Sequence, residues 1–122
     1  MARILTDREA DLMEVLWDRG PSTVAEVHAR LNTSLAYTTV LALLRTMESK
    51  GIVRRSKEGR AHRYVPAIER QKAQKAAVKS LAQKFFRGST ESLLLHLVSN
   101  EKLSADALAR IQRLLDRHEK DH

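Results

Sequence analysis

Residues 34–51 read Ser-Leu-Ala-Tyr-Thr-Thr-Val-Leu-Ala-Leu-Leu-Arg-Thr-Met-Glu-Ser-Lys-Gly, and they constrain the fold more tightly than any other stretch. Ser34 is placed to cap a helix and Gly51 to close it at the C′ position, while Val40, Leu43, Leu44 and Met47 recur at three- and four-residue spacing. The pattern predicts an α-helix with one buried stripe. Its other side carries Tyr37, Thr38, Thr39, Ala42, Arg45 and Thr46, small or hydrogen-bonding groups where an ordinary solvated helix has a Glu/Lys mixture. Small hydroxyls let a helix approach base edges, and Leu41 and Ala42 suit a thymine methyl. Two readings stand at this point: a DNA-reading helix, or a partly buried helix of a small bundle.

The residues before this stretch favour the first. Thr6 with Glu9 forms a capping box, and Ala10, Met13, Leu16 and Trp17 mark one helical face as far as Gly20-Pro21. Trp17 continues that apolar stripe and is expected to anchor the core rather than stack on a ligand. Thr23 with Glu26 repeats the capping box, and Val24, Val27 and Leu31 form the face of a short second helix ending near Asn32. His28 lies beside that face and is expected to be a satisfied boundary residue. Only a tight turn then separates the second helix from the third, which is the layout of a helix-turn-helix.

After Gly51 the period changes from helical to alternating. Residues 52–56 and 61–65 read as two short β-rich runs around a turn that contains Gly59, giving a basic hairpin. Three helices followed by such a hairpin predict a winged helix, with the third helix in the major groove and the wing along the sugar-phosphate backbone. Arg55, Lys57, Arg60 and Arg63 are the candidate phosphate contacts, which position a protein without reading sequence. Taken singly, each is also an ordinary surface charge.

Charge distribution supports this assignment. The chain's net charge is +7, yet residues 1–33 carry four basic side chains against six acidic ones. Residues 34–66 carry Arg45, Lys50, Arg54, Arg55, Lys57, Arg60 and Arg63 against Glu48 and Glu58, a local +5 on the reading helix and hairpin. Such a surface favours a polyanion and predicts salt-dependent binding. A membrane surface is the competing polyanion. No apolar run approaches the roughly 20 residues that span a bilayer, and no leader pattern opens the sequence, so a soluble cytoplasmic protein is expected. The absence of cysteine excludes disulfides, thiolate metal sites and cysteine nucleophiles.

Pro66 ends the second run, and a leucine- and alanine-rich sequence follows. Residues 68–87 are helical by composition, Ser89 starts a short helix through Leu93-Leu94-Leu95 and Leu97-Val98, and Ser104 caps a last one. About 55 residues bury too little surface to be comfortably stable alone. Pairing with a second copy through Leu81, Phe85, Phe86, Leu94, Leu97, Leu108, Ile111 and Leu115 is the economical expectation; folding back on the same chain's winged helix is the alternative. The predicted fold is therefore mostly α, with a winged helix-turn-helix domain over 1–66, carrying a short β-hairpin wing, and a three-helix dimerisation domain over 67–122. His118 and His122 lie one turn apart, but in a charged tail they read as solvated. No Gly-rich phosphate loop, His-Glu-x-x-His run or plausible triad is present, so an enzyme is not expected, nor a cofactor or metal. The reading that competes with DNA binding is a winged-helix module that holds protein partners.

The order and spacing of several motifs resemble the penicillinase-repressor family of bacterial transcription factors, which includes the β-lactamase and methicillin-resistance repressors and a copper-responsive branch. They are Leu5-Thr6 with Glu9 and Leu16-Trp17, the 23–31 helix, Ala36-Tyr37-Thr38-Thr39-Val40, Lys50-Gly51, Gly59-Arg60 with His62-Arg63-Tyr64, and Leu103-Ser104. The resemblance implies a homodimer that binds a palindromic operator and represses resistance or stress genes. Thr38, Thr39, Leu41, Ala42 and Arg45 then fall on the recognition helix and Arg60 on the wing. In the β-lactamase and methicillin-resistance branch a sensor protease route cleaves an Asn-Phe pair, where this chain has His96-Leu97; the copper branch uses paired cysteines, which this chain lacks.

Overall fold

In a computed structural model, residues 4–58 and 61–121 are described. The element order is α1 (Asp7–Arg19), α2 (Val24–Arg30), α3 (Tyr37–Ser49), β1 (Val53–Glu58), β2 (Ala61–Pro66), α4 (Arg70–Phe85), α5 (Thr90–Asn100) and α6 (Ala105–Asp121). The chain forms two compact units, Met1–Ser80 and Leu81–His122, dividing inside α4.

Both expected capping boxes are present in the first unit. Thr6 Oγ1 accepts from the Glu9 N–H while Glu9 Oε1 accepts from the Thr6 N–H, and Thr23 and Glu26 make the same reciprocal pair. Each box satisfies two of the donors that a helix start leaves open. The helices close over a core in which Leu12, Met13, Leu16, Val27, Val40, Leu44, Met47, Ile52 and Val53 are fully buried. Each such side chain contributes roughly 1.5–3 kcal/mol of burial, so this cluster dominates the unit's stability.

The start of α3 differs from expectation. Ala36, not Ser34, is the N-cap, and no side chain caps it. Leu35 explains the shift: it is half-buried against the core, in the N′ position from which a hydrophobic residue fixes the path into a helix, and holding it there keeps the backbone extended to Ala36. The other end is as expected. Gly51 has φ 79°, its N–H donates to the Glu48 carbonyl, and the Ile52 N–H donates to the Met47 carbonyl. This is a Schellman closure, and its usual apolar partners, Met47 and Ile52, are both buried.

β1 and β2 pair antiparallel, with Val53 opposite Pro66, Arg55 opposite Tyr64 and Lys57 opposite His62. The hairpin is tied to the helices by backbone: the Ser22 N–H donates to the Tyr64 carbonyl and the Tyr64 N–H returns to the Ser22 carbonyl. Ser22 and Tyr64 are both buried, and Ser22 Oγ donates to the Gly20 carbonyl. Beyond β2 the chain is fixed again. The Ala67 N–H donates to the Ile52 carbonyl, Trp17 Nε1 to the Ile68 carbonyl, and Arg70 pairs with Glu14 and Asp18 while lying 5.4 Å over the Trp17 ring. Trp17 is thus a half-buried anchor, as its place in the stripe predicted.

In the second unit Ser89 and Ser104 make the expected caps, donating partners being the Ser92 and Ala107 N–H groups. Ala82 and Leu93 are buried there, and Phe86 meets the His96 ring edge-on. The leucines read from sequence as apolar are mostly open: Leu81, Leu94, Leu95, Leu97, Leu108, Leu114 and Leu115 are exposed, and Phe85 is 74% exposed. Phe86 and Ile111 are half-buried. Among the described residues no helix is long and apolar enough to cross a membrane.

Candidate nucleic-acid interface

Burial divides α3 along its length. Val40, Leu44 and Met47 face the core, and Leu43 is half-buried beside them, while Tyr37, Thr38, Thr39, Ala42, Arg45 and Thr46 are exposed. Thr38, Ala42 and Arg45 are spaced four and three residues apart and so form one line along the outer face, with Thr39 and Thr46 on its flank. Leu41 sits at the margin: it is half-buried and packs against the core, so it offers only part of its side chain outward.

The approach to this face is organised by His28. The Leu35 carbonyl accepts from His28 Nε2 at 2.8 Å, which puts the ring proton on that nitrogen, and the Tyr37 ring stands edge-on to the imidazole at 6.0 Å. One half-buried side chain therefore ties α2 to the turn before α3 and props the first residue of the exposed face.

An open groove separates α3 from the hairpin. Tyr37, Leu41 and Arg45 line it from α3, Arg55 and His62 from the hairpin, and Thr23 from the start of α2. Strand alternation sorts the hairpin cations. Arg55, Lys57, His62 and Tyr64 share one face of the ribbon, whereas Arg54, Ser56 and Arg63 share the other. Arg55 is 3.5 Å from Glu48, a partly exposed pair that leaves it able to exchange partners. Arg63 is held by Glu26 at 2.7 Å. Arg60 lies outside the described residues. Arg54 is exposed and His62 lines the groove, yet neither stands out in the sequence, because facing is decided by strand register, which charge counting does not supply.

A half-buried ion pair secures the far end of α3. Lys50 Nζ donates to Glu9 Oε2 at 2.8 Å, joining the C-cap of α3 to the first turn of α1. Burial pushes the Glu9 carboxyl pKa up, but the hydrogen bond from Lys50, the Thr6 N–H and the Lys50 charge outweigh it and hold the group below its ordinary value.

Among the described residues, no acid, base and nucleophile converge on this groove. The arrangement offers hydroxyls, an arginine and a methyl on a convex helix, flanked across a groove by a cationic ribbon: hydrogen-bonding and charge suited to a duplex. Comparison with known proteins agrees. Residues 5–117 match the family model described as penicillinase repressor. The transcriptional regulator BlaI of Mycobacterium tuberculosis is 37% identical over 97% of this chain and 87% of its own length. The penicillinase repressor of Bacillus licheniformis is 25% identical over 93% of this chain and 91% of its own. The solution structure of monomeric Bacillus licheniformis BlaI in complex with the blaP half-operator superposes with a TM-score of 0.53 at 26% identity, covering 59% of this chain and 90% of that one. On its motifs, its winged-helix architecture and a family match spanning nearly its whole length, the chain belongs to the penicillinase repressor family.

Proposed function

We propose that the chain is a transcriptional repressor that binds an inverted-repeat operator as a homodimer, α3 reading the major groove and the hairpin lying on the phosphate backbone. The observation that carries this reading is the juxtaposition of the exposed Thr38-Ala42-Arg45 line with the Arg55, Lys57 and His62 face across one groove. Thr38, Thr39, Ala42 and Arg45, with Tyr37 and the outer part of Leu41, are the base-reading set. Arg55, Lys57 and Arg60 are the phosphate set. The Bacillus licheniformis relative, whose monomeric form is seen on a half-operator, supports one head per half-site.

The second copy is supported by the open leucines of the second unit, since large apolar side chains exposed in such number mark an interaction surface. The two-fold dimer then takes two half-sites one helical turn apart, about 34–36 Å centre to centre, or a multiple of it. Resistance or stress genes are the proposed targets. A sensor protease is the proposed further partner, acting at a site other than an Asn-Phe pair, because His96-Leu97 stands there.

Gel shift of the full chain with competitor DNA tests this reading. Thr39→Ala and Arg45→Ala should change which sequences are preferred, each lost base contact costing roughly 1–3 kcal/mol on the cognate site and little on other duplexes. Equal loss on all duplexes would place base reading elsewhere. Failure of any complex to survive competitor would favour a protein-binding winged helix instead.

A further inference from the structure

Ala36 occupies the N-cap of α3 and no side chain caps it, so something other than a capping hydroxyl fixes where that helix begins and how it points. The connection from α2 is short. Leu31 closes α2 through its N–H to the Val27 carbonyl, and α3 opens at Tyr37. Inside the connection the Leu35 N–H reaches Thr33 Oγ1 only at 3.4 Å, a long bond. Among the described residues, the side chain that hydrogen-bonds to this connection from outside it is His28, whose Nε2 donates to the Leu35 carbonyl at 2.8 Å. Leu35 also packs half-buried against the core, so its backbone and its side chain are both held.

The same imidazole meets Tyr37 edge-on, with ring centroids 6.0 Å apart and planes at 85°. Tyr37 is exposed and lines the groove with Leu41 and Arg45, whereas the half-buried His28 is not among the residues lining it. Histidine thus stands behind the reading face and touches its first residue. It brings an N–H donor and a flat ring together; glutamine has the donor without the ring, and phenylalanine the ring without the donor.

We propose that His28 is a positioning residue for base reading: its bond to the Leu35 carbonyl sets the angle at which α3 begins, and its ring steadies Tyr37, so that Tyr37 and Thr38 meet base edges in one geometry. This rests on the DNA-binding reading above and adds the side chain that aligns the reading face. Hydrogen bonds weaken steeply once donor and acceptor lose alignment, and a reading helix uses its N-terminal residues against base edges. A small tilt of the first turn therefore costs sequence preference there. Ala42 and Arg45 lie one and two turns further on, where Val40, Leu44 and Met47 anchor the helix in the core, and depend on His28 less. His28 supplies no phosphate contact in this arrangement, so affinity for unrelated sequence does not depend on it.

The test is selection of duplexes from a random pool by the full chain and its variants, with base preference read position by position after sequencing. Tyr37→Ala and Thr38→Ala mark the positions read by the first turn, and Arg45→Ala marks those read further along. His28→Phe is expected to lose preference at the first-turn positions by roughly 5- to 150-fold, the discrimination of one good base contact, and to keep it at the Arg45 positions. His28→Gln is expected to keep preference at the Thr38 positions, through an amide that reaches the Leu35 carbonyl, and to lose part of it at the Tyr37 positions, where the ring is gone. On a mixed-sequence duplex the salt dependence of affinity is expected to be the same for wild type and both variants. Preference unchanged in His28→Phe, or reduced equally at every position, overturns the proposal. So does a loss at the Thr38 positions as large in His28→Gln as in His28→Phe. Should His28→Phe fold poorly by urea titration, His28→Leu carries the same arm, since it too removes the donor. A wild-type protein that enriches no sequence overturns the DNA-binding reading itself; one that does, with His28 variants indistinguishable from it, overturns only the role of His28.

Discussion

Replacing Leu97 or Leu115 with aspartate probes the pairing of two copies without touching the DNA-facing surface. Leu97 is 44% and Leu115 46% exposed in the single chain, so either change also removes the covered half of a leucine from the isolated fold, at roughly half of the 1.5–3 kcal/mol of a full burial, which unfolding of the monomer reads separately. Closing the open half of one leucine against a partner yields roughly half of the 1.5–3 kcal/mol of a full burial. A symmetric pair carries the substitution twice, so lost burial alone weakens the dimer by about 1.5–3 kcal/mol, or roughly 10- to 150-fold in its dissociation constant. Aspartate adds the cost of desolvating a carboxylate, which makes that a lower bound. On the proposed reading, in which one dimer binds two linked half-sites, loss of pairing also removes an avidity gain of about 10²–10⁴ on the whole operator while half-site affinity stays unchanged. Sedimentation velocity reads the association, and titration of whole and half operators reads the coupling. A Leu97→Asp protein that still sediments as wild type, or a monomeric variant that holds the whole operator as tightly as wild type, would refute the reasoning.

Two further predictions concern how α3 is held. Glu9→Gln keeps the capping box but breaks the pair with Lys50, and should cost roughly 1.5 kcal/mol at neutral pH, read by urea unfolding. Because the folded-state pKa of Glu9 lies below its ordinary 4.5, the contribution is present above pH 4.5 and fades as pH falls through the folded value, so wild type and variant should converge in acid; a constant difference down to the lowest pH would contradict the pairing. Gly51→Ala meets no atom within 4 Å, so its expected loss of about 1–2 kcal/mol comes from the left-handed backbone alone, and an unchanged urea midpoint would contradict the closure described here.

Local signals carried most of the fold. The two Thr/Glu boxes, the Gly51 closure and the change from helical to alternating period each depend on a few adjacent residues, and each is found where its pattern lies. Ser34 misled because a capping residue next to a core-seeking leucine loses to it: Leu35 takes the buried place, and the helix begins later. What stayed illegible joins distant positions. The Ser22–Tyr64 bridge, the Trp17 indole on the Ile68 carbonyl, and the Glu26–Arg63 pair span large sequence separations, and nothing in composition announces them. The proposed site was legible only as residue types, hydroxyls on one helix and cations on one hairpin. Which cations share a face followed only from the register, and Leu41 proved half-covered because it stands at the edge of the buried stripe.

Selection of duplexes from a random pool by the full-length protein, followed by sequencing, tests the central claim most directly. The account predicts enrichment of an inverted repeat whose half-sites are centred about 34–36 Å apart or at a multiple of that spacing. A pool that remains unenriched, or one that converges on a single half-site without a symmetric partner, would contradict it.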